Sequence, residues 1–171
     1  MVESYFAVMS ETVVTVRAMQ PDDAAAFLAI QAASVRGLAA KHYPPAVIDA
    51  WATATTDDVI ARFLENPDEE IRLIAEIDGR PVGIGAIVVA NSELRACYVS
   101  PGAARRGVGT AIVAEIERIA REHRLSHLHL EASITAESFY AALGYHVEGR
   151  REFALRPGVP MAAVQMRKQL S

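Results

Sequence analysis

The sequence predicts a mixed α/β fold formed by a single domain, and three observations carry that prediction. Segments with period-two apolar alternation are interspersed along the chain with segments of helical period. Residues 71–89 hold two alternating runs joined by Asp78-Gly79, a dipeptide whose tolerance of positive φ suits a hairpin turn. No internal repeat, low-complexity tract or linker rich in Gly, Ser or Pro divides the chain, and 171 residues suffice for one hydrophobic core without metals or disulfides.

The elements follow in order. Residues 1–12 read as a flexible polar leader and residues 13–17 as a β-branched strand. Pro21, Asp22 and Asp23 then open a helix that runs to about Ser34. Proline sacrifices no helical hydrogen bond in that first turn, and carboxylates favour the positive end of the helix dipole. A second helix is expected over residues 45–54, and a third behind Thr56 as N-cap, with Asp57 and Asp58 in its first turn. The hairpin strands cover 71–77 and 82–89, and residues 93–99 make a further strand. After a loop of Pro, Gly and Arg, helical spacing from 108 to 123 puts Val108, Ile112, Val113, Ile116, Ile119 and Ala120 on one face. Leu128 and Leu130 lie in a strand, residues 135–143 form a helix stopped by Gly144, and residues 147–155 and 164–167 are closing strands.

Bulk properties exclude several classes of function. The apolar fraction is 51% against 22% charged, a globular balance, and the apolar runs fall far short of a membrane span. The first residues carry Glu3 and Glu11, with no basic stretch or long apolar stretch, so no secretory signal is expected and a cytoplasmic location follows by default. A lone cysteine, Cys97, can neither close an internal disulfide nor anchor a thiolate zinc site, and no metal is expected. A net charge of −4 offers no general attraction to nucleic acid phosphates. A small molecule or peptide is therefore the expected partner.

The most informative stretch is residues 93–113, a strand, a loop with Gly and Arg, then the amphipathic helix. The first turn of a helix leaves backbone N–H groups without acceptors, and Gly107 and Gly109 remove side chains that would keep a phosphate from them. Arg105 and Arg106 add positive charge that a diphosphate would use. Known phosphate loops of other kinds fit poorly. A P-loop requires Lys then Ser or Thr after its last glycine, where Thr110 follows Gly109; a dinucleotide fold requires a glycine spacing that Gly102, Gly107 and Gly109 do not have.

The stretch Cys97-Tyr98-Val99-Ser100-Pro101 followed by Arg105-Arg106-Gly107-Val108-Gly109-Thr110 resembles the pyrophosphate-binding motif of the GCN5-related N-acetyltransferases. The family pattern is Gln/Arg-x-x-Gly-x-Gly/Ala; Gly107 and Gly109 match its glycines, and Ala104 stands where Gln or Arg is usual. A second segment, residues 133–145, resembles the family's Asn-x-x-Ala-x-x-Phe-Tyr-x-x-x-Gly-Phe/Tyr motif through Ala136, Phe139, Tyr140, Gly144 and Tyr145, with Ser133 in place of Asn. The resemblance spans about residues 13–168. It implies a central mixed, mostly antiparallel sheet of about six or seven strands flanked by helices, in one acetyltransferase domain over residues 13–170. It also implies acetyl-CoA as co-substrate and transfer of the acetyl group to a primary amine by direct attack in a ternary complex. Under it the cofactor-binding set is Cys97, Tyr98, Val99, Arg105, Arg106, Gly107, Val108, Gly109, Thr110, Ser133, Ala136, Phe139 and Tyr140.

Aminolysis of a thioester needs a neutral amine, stabilisation of the developing oxyanion and a proton for the departing thiolate. The resemblance assigns the proton to Tyr140, with Phe139 expected on a neighbouring, more buried face, and the oxyanion to the backbone N–H of Val99. It offers Glu93 as general base, with Glu131 as a weaker alternative. Cys97 is read as a small buried hydrophobe and not as an acetylated nucleophile. His127 and His129 alternate on one strand face without a third ligand at metal spacing, and are read as solvated. The acceptor side is expected from Arg36, His42, Tyr43 and Trp51, polar and aromatic types suited to a pocket wall, with residues 156–160 bordering it. The competing reading is a non-catalytic acyl-CoA sensor on the same fold, against which the retained Phe139-Tyr140 pair argues. Pairing of edge strands into a homodimer is an assembly open to this class.

Overall fold

The computed structural model describes residues 11–171; the first ten residues of the expected leader lie outside the described residues. The described residues form a seven-stranded sheet in the order β1-β2-β3-β4-β5-β7-β6. Its strands are β1 (Val14–Ala18), β2 (Ile71–Ile77), β3 (Arg80–Val88), β4 (Glu93–Val99), β5 (His127–Ser133), β6 (His146–Arg156) and β7 (Val159–Gln169). Neighbours pair antiparallel except β4 and β5, which are parallel. The mixed α/β class and the mostly antiparallel sheet are thus as the sequence predicts. Among the described residues five α-helices flank it: α1 (Ala24–Leu38), α2 (Pro45–Trp51), α3 (Asp57–Glu65), α4 (Val108–Glu122) and α5 (Glu137–Ala142). Among the described residues no helix is long and apolar enough to cross a membrane.

Strand alternation sends side chains to two apolar layers. On one face Leu73, Ile87, Leu94, Leu128 and Leu130 meet Ile112 and Ile116 of α4, and Tyr140 of α5 joins them. On the other, Ile74 and Ile84 meet Phe27 and Ile30 of α1, while Met161 of β7 meets Val35 of α1 and Val47 and Ile48 of α2. Ile112 and Ile116 are fully buried, which contributes about 1.5–3 kcal/mol for each side chain. Two glycines set the depth of α4. A Cβ on Gly83 would lie 2.7 Å from Val108 Cγ1, and one on Gly85 would lie 2.5 Å from Ile112 Cγ2. Their absence of side chains lets the helix start sit directly on β3, beside the end of β4.

Boundaries depart from the sequence reading mainly at helix starts. Pro21–Asp23 form a 3-10 turn that precedes α1, because the Asp23 carboxylate turns back to accept from the Gln20 N–H at 2.7 Å. Thr56 precedes α3 but makes no capping hydrogen bond. The closing strands are longer than expected, since β6 and β7 make one hairpin whose turn is residues 157–158.

Candidate functional site

The parallel pair at the centre of the sheet opens apart. Among the described residues β4 pairs with β5 at a single position, Glu93 with His129, supported by the His129 N–H donating to the Ser92 carbonyl at 3.0 Å. Beyond it the two strands diverge toward their carboxyl ends. On its other side β4 stays paired with β3, and the Ser100 N–H donates to the Val82 carbonyl at 2.8 Å. Hydrogen-bonded and open pairs alternate along an antiparallel ladder, so the neighbouring Gly83–Val99 pair is open. The Val99 N–H consequently turns away from β3 and into the gap that β5 has left.

A cleft of about 630 Å³ occupies this gap. One wall is the β4–α4 junction, from Cys97, Tyr98 and Val99 through Arg105 to Gly107, Val108, Gly109 and Thr110. Gly107 caps α4 in the left-handed region at φ 81°, and a Cβ there would meet nothing within 4 Å, so the helix start faces open space. Arg105 also holds a positive φ of 61°, an unfavourable conformation for a residue with a side chain, within the same turn. Arg106 is exposed and does not line the cleft; Ala104 does. The second wall is the β5–α5 junction: Ser133, Thr135, Ala136, Ser138 and Phe139. The Ser133 hydroxyl accepts from the Ala136 N–H at 3.2 Å and so caps this turn itself.

The order of burial of the aromatic pair is the reverse of the expected one. Phe139 lines the cleft, its ring 3.0 Å from where a Cβ on Gly109 would lie, whereas Tyr140 is 6% exposed and packs between Phe139 and Tyr145. α5 is a short helix entered from a 3-10 turn, and this rotates the pair relative to a continuous helix from residue 135. Burial raises the Tyr140 hydroxyl well above its ordinary range, with Cys97 and Tyr98 close by. The phenol is thereby kept protonated. Burial likewise pushes the Cys97 thiol up to about 12, and its Sγ contacts the Gly109 carbonyl at 3.8 Å, so no thiolate is available as a nucleophile.

The third wall comes from the opposite face of the sheet: Ser34, Val35, Leu38, Ala39, Lys41, His42 and Trp51. Trp51 donates its indole N–H to the Tyr98 hydroxyl at 3.2 Å, which holds both rings at the cleft floor. His42 Nδ1 lies 3.0 Å from Thr135 Oγ1. Two of the residues expected here are not cleft residues. Tyr43 is buried, its hydroxyl accepting from the Ile134 N–H at 2.8 Å and donating to the Ala162 carbonyl at 2.7 Å, and Arg36 points outward to Asp49 at 3.1 Å. The β6–β7 hairpin approaches α2 through Phe153, Leu155 and Val159, which, like Trp51, pack against the cluster containing Tyr43.

The carboxylates proposed from sequence stand elsewhere. Glu93 is at the opposite end of β4 from Val99, roughly 20 Å away at the rise of a strand. It accepts from Arg95 at 3.2 and 2.7 Å, and Arg95 is further held by Asp68 and Glu70. Glu131 pairs with Arg151 at 2.5 Å. His129 meets the Asn91 carbonyl at 2.9 Å, and among the described residues no three metal-ligating side chains cluster. Lys41, Leu38 and Thr135 were not legible as site residues. The signal for Thr135 was its place two residues after Ser133; Leu38 and Lys41 sit in an Ala-rich stretch with no pattern of its own.

Comparison with known proteins agrees with this geometry. Residues 39–170 match the family described as Acetyltransferase (GNAT) domain. A protein of Rhodopseudomonas palustris described as "GCN5-Related N-acetyltransferase: Aminotransferase, Class-II" is 31% identical, with a TM-score of 0.86 over 95% of this chain and 99% of that one. The PaiA N-acetyltransferase of Thermoplasma acidophilum, solved with coenzyme A, shares the fold at 20% identity and a TM-score of 0.71, over 92% of this chain and 99% of that one. The ribosomal-protein-S18-alanine N-acetyltransferase of Escherichia coli does so at 17% identity and a TM-score of 0.67, over 93% and 95%. With three-quarters of its length matched to the family and the diverging β4–β5 pair in place, the chain belongs to the GNAT acetyltransferases.

Proposed function

We propose that the protein transfers an acetyl group from acetyl-CoA to a primary amine by direct attack within a ternary complex. The observation that carries this reading is the Val99 N–H turned into a cleft between diverging parallel strands, beside a helix N-terminus capped by glycine at positive φ. The first amides of α4 with Arg105 suit a diphosphate, since unpaired N–H groups and a guanidinium complement its charge. Ser133, Ala136 and Phe139 line the path from there toward Val99. The thioester supplies an activated carbonyl; the Val99 N–H is placed to hold its oxygen as charge develops on it. Tyr140, kept protonated by burial behind the cleft-lining Phe139, is the phenol we assign to return a proton to the departing sulfur. The wall from α1 and α2 is left for the acceptor, so donor and acceptor approach from opposite faces of the sheet. This arrangement favours direct attack over an acetyl-cysteine, because the Cys97 thiol is held protonated.

Calorimetric titration of the purified protein with acetyl-CoA, CoA and ATP tests the donor. Acetyl-CoA and CoA are expected to bind with micromolar affinity and ATP at least tenfold more weakly. A preference for ATP, or no binding, would sink the proposal. Binding without CoA release from any amine tried would instead identify a sensor.

A further inference from the structure

We propose that His42 is the general base that takes the proton from the attacking amine, a reading that rests on the acetyl transfer proposed above. The first observation is one of composition. Among the described residues no aspartate or glutamate lines the cleft; its titratable side chains are Lys41, His42, Cys97, Tyr98 and Arg105. Arginine and the lysine ammonium are donors with no lone pair to offer. Burial raises both the Cys97 thiol and the Tyr98 hydroxyl, so each keeps its proton. The imidazole remains, and its neutral form carries one ring nitrogen with a free lone pair.

The second observation is position. Residues 37–43 cross over the gap between β4 and β5. At one end Gly37 lies so close to the β4–α4 loop that a Cβ would sit 2.5 Å from Pro101 Cγ. At the other, His42 meets Thr135 at 3.0 Å, and the next residue, Tyr43, ties the segment to Ile134 and Ala162 through its hydroxyl. Tyr43 is thus a positioning residue. His42 is held on the β5 side of the gap, opposite the β4 side that carries Val99. In the tautomer whose Nδ1–H donates to Thr135 Oγ1, the lone pair sits on Nε2 of a ring that lines the cleft, and the exposed ring can release its proton to water. Glu93 and Glu131 offer no alternative, being tied to Arg95 and Arg151.

The step balances. The amine nitrogen bonds to the thioester carbonyl carbon, the proton it sheds passes to His42 Nε2, the carbon–sulfur bond breaks, and the sulfur leaves with its electron pair to be protonated as free CoA. The test measures CoA release against pH, with glycine, spermidine, benzylamine and an alanine-terminated peptide as probe amines. For the best probe, His42→Gln should lower kcat on the order of 10²-fold and reduce the acidic limb of the kcat/KM profile from two ionisations to the one that belongs to the amine itself, with acetyl-CoA affinity by calorimetry unchanged. Added imidazole should restore activity to His42→Ala. Thr135→Val, which removes the hydroxyl that orients His42 while keeping the shape of the cleft wall, should cost about fivefold. An acidic limb that still carries both ionisations in His42→Gln, or absence of release with every probe despite tight acetyl-CoA binding, overturns the assignment. The latter result leaves the donor site standing, whereas loss of acetyl-CoA binding in the unmodified protein would overturn the function itself.

Discussion

Gly107 is the residue at which backbone conformation and ligand charge can be separated by two substitutions. Its φ of 81° is a left-handed conformation that costs a residue with a Cβ about 1–2 kcal/mol, and a Cβ there would meet nothing within 4 Å. Gly107→Ala is therefore expected to lose about 1–2 kcal/mol of stability while leaving acetyl-CoA affinity within about threefold. Gly107→Glu adds a carboxylate at the helix start. At about 6 Å from a diphosphate carrying about two charges, the repulsion is about 1.4 kcal/mol in water and about 5 kcal/mol at an effective dielectric constant of 20. The open cleft places the value toward the lower end, about 2 kcal/mol, or about 30-fold in Kd. Titration calorimetry at two ionic strengths reads both terms, because screening at high salt should shrink the glutamate effect and leave the alanine effect unchanged. Equal affinity of the glutamate variant and the unmodified protein at low salt would show that no anion sits at the start of α4. Equal losses in both variants would show that conformation, not charge, is what the site requires.

Three further outcomes are expected. Tyr140→Phe should bind acetyl-CoA normally while kcat falls on the order of 10²-fold; unchanged turnover would remove the phenol from the mechanism. Gly85→Ala should lower stability by about 1–3 kcal/mol, because the new Cβ at 2.5 Å from Ile112 Cγ2 lifts α4 from β3, while Gly102→Ala, with nothing within 4 Å, should leave the thermal midpoint nearly unchanged. Arg17 holds the Asp23 carboxyl down to about 2 through paired hydrogen bonds of 2.7 and 2.9 Å. A depressed carboxylate stabilises above its unfolded value and loses that contribution as pH falls through the folded one, so stability should drop between about pH 4 and 2. The amount is about 1 kcal/mol, since Arg17 is 38% exposed and screened, and Asp23→Asn should flatten this part of a urea-midpoint profile.

The strand-loop-helix around Gly107 was legible because glycines and unpaired amides at a helix start are local chemistry, whereas the Phe139-Tyr140 pair was legible only through its resemblance to a family motif. What the sequence hides is set by pairing at long range. The glycine motif does not reveal that β4 and β5 touch at one position, and it is this divergence that aims the Val99 N–H. Gly83 and Gly85 read as ordinary strand residues, and only contact with Val108 and Ile112 shows why side chains are excluded there. Glu93 looks free at a strand start until Arg95 is seen to take it. The Phe139-Tyr140 inversion has the same origin, since a 3-10 entry changes the phase of a helix without changing its composition.

Among the described residues the one paired position between β4 and β5 also makes this sheet two mechanical units, a four-strand and a three-strand half, seamed along the cleft. Past that link they are held together by side chains, among them those of α4, which share one core cluster with Leu94, Leu128 and Leu130. Anything that fills the seam and contacts both lips adds cohesion where the backbone supplies least. At a ligand concentration of about a hundredfold Kd, that linkage amounts to about 2.7 kcal/mol. Resistance to proteolysis and amide exchange along β5, β6 and β7 should therefore track the supply of the molecule that fills it, so that an idle copy is the one most readily degraded.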